Sequence, residues 1–184
     1  MNTDHSLFLR KTSYCALFAA LIAAGAYLSI PVGPVPIVLQ NLFVFLAGVL
    51  LGRKMRLASV GAYILVGALG FPVFAGGTGG IGRLLGPTGG YLFGYLPCVY
   101  IIGLITEKRQ NKVYDVIAMC CGAIIVYVCG VAWLKLLTNM TLSKTLIVGM
   151  YPFIPGDVLK IAAAVHVAKA LRPLLKNSVH GFQD

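Results

Sequence analysis

The chain has 184 residues and a formal net charge of +10, from 15 Lys and Arg against 5 Asp and Glu. Hydrophobic residues make up 59% and charged residues 11%, which is more apolar surface than a soluble domain of this length can hide, so the solvent that fits is lipid. The basic residues are spread along the chain and no aromatics interleave them, which argues against a nucleic-acid surface.

The apolar runs predict an all-α membrane protein, a single integral membrane domain over 1–184, with six transmembrane helices at roughly 13–30, 37–52, 57–74, 89–106, 114–137 and 153–171. The second and third are shorter than the ~20 residues that cross a bilayer comfortably. They are expected to tilt or to start inside the protein. Arg10-Lys11 before an apolar run has the outline of a signal peptide, but the rest of the chain is equally apolar and a first membrane helix fits better.

In that first helix Ala16, Ala20 and Ala24 recur at every fourth position, beside Ala19 and Ala23. Small residues in this register let another helix come close, because helix pairing in lipid relies on packing. The spacing serves packing within this chain or against a second protein alike. The connection that follows, Ile30–Gln40, carries Pro31, Pro34 and Pro36 and no charge. Its prolines exclude regular helix and favour stiff, extended backbone, which suits a lid. Gln40 and Asn41 open the second helix with groups that both donate and accept hydrogen bonds.

The segment 75–91, AGGTGGIGRLLGPTGGY, is dense in glycine, as a tight loop or a ligand-contacting turn requires. It has no Gly-Lys-Ser/Thr entering a helix, so it is no phosphate-binding loop. Gly76, Gly77 and Tyr91 are candidate wall residues, and Arg83 is the sole cation of the segment. Five cysteines (Cys15, Cys98, Cys120, Cys121 and Cys129) lie within apolar runs without metal-binding spacing and read as packing residues. Neither a metal nor a cofactor is expected. Tyr127 and Trp133 suit a cavity lining or a membrane-interface belt. Glu107 and Asp115 sit among basic residues and read as solvated.

The last helix opens with PFIPGDVLK at 152–160. Asp157 and Lys160, three residues apart, share a helix face. Ionisable residues inside a membrane span are expensive and mark functional sites. Together this pair offers a strong acceptor and a strong donor at no net charge, a site for something small and neutral at the end that enters it. His166 lies about 180° round the same helix from Asp157 and is not expected at the site.

Basic residues then orient the chain. Arg10, Lys11, Arg53, Lys54, Arg56, Lys108, Arg109, Lys112, Lys169, Arg172 and Lys176 fall on one side if there are six helices. That places both termini in the cytoplasm by the positive-inside rule. Asp157 and Lys160 are then near the outer surface, and the ligand pocket faces outward.

AGGTGG at 75–80, GPTGGY at 86–91 and PFIPGDVLK at 152–160 together resemble the BioY family, the biotin-binding S-components of energy-coupling factor (ECF) vitamin transporters. The resemblance covers nearly the whole chain, including the GPVPIVLQ loop and the alanine ladder. It implies a high-affinity biotin-binding subunit, with Asp157 accepting from the ureido N–H groups, Lys160 donating to the ureido carbonyl, and Arg83 a candidate for the ligand carboxylate. It further implies partners, a transmembrane scaffold subunit met by Ala16, Ala20 and Ala24 and two cytoplasmic ATPases. One departure stands out. Family members commonly read PITLQT where this chain has Val38 and Asn41 in place of two threonines.

Rival classes fit less well. Apart from Asp115 at the very start of the fifth, Asp157 is the only acid within an expected span, whereas a proton-coupled carrier normally uses more than one. No GxSxG or HExxH motif is present to support an intramembrane enzyme.

Overall fold

In the computed structural model the chain is described over residues 2–31, 33–108 and 110–178. Val32 in the proline segment, Arg109 among the basic residues and the tail 179–184 lie outside the described residues, and so does the Lys176 side chain. The architecture is mostly helical: α1 Asn2–Tyr27, α2 Gln40–Leu50, α3 Arg53–Ala68, α4 Ile81–Leu85, α5 Gly89–Lys108, α6 Lys112–Thr138, α7 Leu142–Gly149 and α8 Ile154–Ser178. A two-stranded antiparallel hairpin, β1 Ser29–Ile30 and β2 Ile37–Val38, joins α1 to α2.

Each of the six expected stretches coincides with one helix, with shifted ends, and the second of these helices is short. α1 stops at Tyr27 because the proline segment pairs as strand: Ser29 lies opposite Val38 and Ile30 opposite Ile37. The first residues expected in the second helix are therefore strand. α3 ends before the expected boundary at 74. Gly70 takes φ +101° just past its last turn and its N–H bonds Gly67 O at 3.1 Å, a left-handed glycine stop. α4 and α7 were not anticipated from the sequence. α6 is capped at its start by Asn111, whose side chain accepts from Tyr114 N at 2.9 Å, and at its end by Asn139 at φ +54°.

Among the described residues, α5 and α6 are each long and apolar enough to cross a membrane, and α7 with α8 forms a third such unit bent by 45°. α2, at 11 residues, is apolar but short. α5 and α6 pack most extensively. Glycine is the reason: a Cβ at Gly90 would overlap the Trp133 side chain, and one at Gly94 would press on Cys129 Cβ at 3.1 Å. The core between the helices holds Ile22, Phe45, Tyr63, Ile102, Met119 and Leu134, all fully buried.

At one end of the bundle three ion pairs tie helices together. Arg56, buried on α3, donates to Glu107 on α5 at 2.6 Å and to Leu51 O at 3.0 Å. Arg53 stands 3.6 Å from the same carboxylate. Arg172 on α8 donates at 2.8 Å to Asp115 on α6, which is 1% exposed. The expectation that Asp115 is solvated is thus corrected, since an arginine from another helix holds it out of water; Glu107 is exposed, as expected, and also takes arginine partners from α3. A sequence places charges along the chain but not across it.

Candidate functional site

At the other end, about 24 Å along α5 from Glu107 at 1.5 Å per residue, a cavity opens at the helix ends around Tyr91. Its empty space, open mouth included, is about 580 Å3. The hairpin contributes Val35, Pro36 and Val38, and α2 contributes Gln40 and Asn41. The glycine segment with its preceding residue adds Phe74, Ala75, Arg83 and Thr88; α5 adds Tyr91, Leu92 and Tyr95; and Val126, Tyr127, Phe153 and Lys160 complete the wall.

Asp157 lies in the first turn of α8, where a negative charge favours the helix dipole. The pair is buried, Asp157 at 3% and Lys160 at 9% exposed. Lys160 Nζ donates to Asp157 Oδ1 at 2.8 Å. The carboxylate has further donors: Asn41 Nδ2 lies 3.2 Å from both oxygens, and the Tyr127 hydroxyl donates to Oδ2 at 2.5 Å. The Tyr95 hydroxyl in turn donates to Asn41 Oδ1 at 2.7 Å. One network therefore joins α2, α5, α6 and α8. Charge burial of this kind is tolerable only where hydrogen bonds compensate it, and here they do. Asp157 itself stands behind the wall: Lys160, Asn41, Tyr95 and Tyr127 line the cavity, and Asp157 does not.

Of the other expected site residues, Gln40 lines the cavity, and its buried amide stands beside the Tyr63 hydroxyl. Tyr91 offers its ring, since its hydroxyl donates to Gly149 O at 2.7 Å. Arg83 is half-buried at the wall and forms no ion pair among the described residues. Gly76 and Gly77 are not lining residues. With φ of +72° and +70° they form the tight turn in which Phe74 N donates to Thr78 O at 2.8 Å, and that turn presents Phe74 and Ala75 to the cavity. The Tyr27 hydroxyl donates to Pro72 O and ties this segment to α1. His166 is exposed on α8, away from the site. Trp133 is outside the wall and donates from Nε1 to Gly86 O at 3.0 Å.

Sequence reasoning missed Tyr95 and left Tyr127 unplaced. The signal for Tyr95 was available, since it follows Tyr91 by four residues and such pairs share a helix face. Nothing local marks Phe153 or Val126, whose places depend on how α6 and α8 meet.

On α1, Phe18, Ile22 and Ala26 are buried against the bundle, whereas Ala16, Ala20 and Ala24 are exposed. The ladder is therefore not used for packing within this chain; Ala19 and Ala23, half-buried, are the alanines that face inward.

The family model of the BioY family matches residues 1–177. The chain is 40% identical to the biotin transporter BioY of Thermotoga maritima, over 90% of this chain and 98% of that one. It is 41% identical to the probable biotin transporter BioY of Pyrococcus horikoshii, over 89% and 96%. Among solved structures it is similar to the S-component for biotin from an ECF-type ABC transporter, with a TM-score of 0.86, 35% identity and coverage of 99% and 97%. With matches that run nearly end to end in sequence and in structure, the chain is a member of the BioY family of membrane transport proteins.

Proposed function

We propose that the chain captures biotin in this cavity and acts as the substrate-specific subunit of an ECF transporter. The observation that carries the reading is the buried Asp157–Lys160 pair, with Lys160 lining the cavity and Asp157 directly behind its wall, in a chain whose relatives are named for biotin transport. A ureido group has two N–H donors and a carbonyl, so it needs acceptors and donors side by side. The network around Asp157 offers both. The apolar wall of Val35, Val38, Phe74, Leu92 and Phe153 suits the thiophane ring and aliphatic tail. Arg83 is placed for the carboxylate, and the hairpin carrying Val35 and Pro36 for closure over the bound ligand. Of the residues expected at the site, Asp157, Lys160, Gln40, Asn41, Arg83 and Tyr91 keep a part in ligand binding, and Gly76 and Gly77 shape the turn.

In this reading residues 1–184 form one membrane domain of six spans in the cell membrane, both termini are cytoplasmic, and the cavity opens outward. The basic pairs at the end opposite the cavity support that orientation through the positive-inside bias. Transport depends on a separate module, a membrane scaffold and two ATPases, which docks on the exposed Ala16, Ala20 and Ala24. Calorimetric titration of the purified chain with biotin tests the binding. Uptake by proteoliposomes holding this chain alone, without ATPases, would refute the dependence on a partner module.

A further inference from the structure

We infer that Gly67 of α3, which is not a lining residue, positions the aromatic wall of the cavity through Phe74 and so sets the room left for the ligand. The inference rests on the biotin reading above and adds to it a residue outside the wall. Gly67 holds the glycine segment at two points. Its missing side chain is the first: a Cβ there would overlap Cζ and both Cε carbons of Phe74, so the tip of that ring fills the place of a side chain on α3. Its carbonyl is the second, accepting from Gly80 N at 2.7 Å besides Gly70 N at 3.1 Å. Between positions 74 and 80 runs the turn closed by Phe74 N and Thr78 O at 2.8 Å.

The Phe74 ring is 1% exposed. Tyr63 stands edge-on to it, with centroids 5.5 Å apart and planes at 78°. Tyr63 precedes Gly67 by four residues, on the same face of α3, and is itself fully buried. The helix therefore offers a notch with an aromatic flank and bare backbone at its floor. In a close-packed interior a displaced side chain moves into space that already exists, and the space Phe74 borders is the cavity. A methyl group at position 67 drives the ring off α3 toward the ligand, and the turn that carries Ala75 moves with it. Helix propensity alone argues for the opposite residue, since alanine is favoured over glycine within a helix.

The test is a double-variant cycle read by calorimetric titration of the purified chain with biotin. Gly67→Ala is expected to bind biotin at least about tenfold more weakly, as overfilling a fitted site does. In Phe74→Leu no atom lies beyond Cδ, so the three carbons that would meet the new methyl are gone. Phe74→Leu alone and Phe74→Leu combined with Gly67→Ala should therefore bind alike, within about twofold. Full affinity in Gly67→Ala overturns the inference. So does a loss of the same size in both backgrounds, because that loss travels through the helix and not through Phe74. Where Gly67→Ala does not fold, or Phe74→Leu binds too weakly to compare, Phe74→Tyr decides. Its hydroxyl extends the ring at Cζ into the floor of the notch, so biotin should bind about tenfold more weakly, and undiminished affinity sinks the idea. Absence of biotin binding by the unaltered chain instead sinks the biotin reading itself.

Discussion

Arg172 near the end of α8 reaches Asp115 in the first turn of α6 at 2.8 Å, across 57 positions of sequence, and leaves that carboxylate 1% exposed. Removing one partner of a buried pair strands the other charge and costs about 3–5 kcal/mol. Asp115→Ala is expected to lower the thermal stability of the purified chain accordingly. Biotin affinity, measured below the melting range, stays unchanged because the pair lies about 18 Å along α8 from Lys160. A melting temperature equal to that of the unaltered chain would show that the pair contributes nothing.

Lys160→Met removes the ammonium that faces both Asp157 and the cavity. Loss of the cation leaves Asp157 with neutral donors only and the ligand carbonyl without its charged donor. A decrease in biotin affinity of about a hundredfold or more follows, and Asp157→Asn is expected to weaken binding as well. Helical circular dichroism of each variant should match that of the unaltered chain. Undiminished affinity in both variants removes the pair from the site.

Arg83 is half-buried at the cavity wall, so water screens it and its contribution is modest. Arg83→Gln is expected to weaken biotin binding about fivefold, equivalent to about 1 kcal/mol. Binding of biotinamide, which has no carboxylate, should be the same in both proteins. An equal loss for biotin and the amide argues that Arg83 shapes the loop and does not meet the carboxylate.

Ala20 is exposed in the middle of the alanine ladder. A tryptophan there projects where a second helix must come close, so Ala20→Trp should block co-purification with a scaffold subunit while biotin affinity holds. Normal assembly of the variant would locate the docking face elsewhere.

Composition and local pattern were enough to decide the solvent, the long helices and the most informative pair. Asp157 and Lys160 share a face because a helix has 3.6 residues per turn, and the cost of charge in lipid makes them conspicuous. These are short-range or solvent-level effects, so one strand of letters carries them. The glycine segment was also legible as part of a wall, although its glycines prove to be the turn and its neighbours the lining.

Only the tertiary structure decided what those charges meet. Asn41 finds Asp157 across 116 positions, Tyr127 and Tyr95 join from two further helices, and Asp115 and Glu107 are claimed by arginines from neighbouring helices. The direction of the alanine ladder was settled in the same way, by which face of α1 the bundle buries. Hydrogen bonds and ion pairs depend on distances of about 3 Å, and such distances between remote residues are set by helix packing, which local periodicity does not encode.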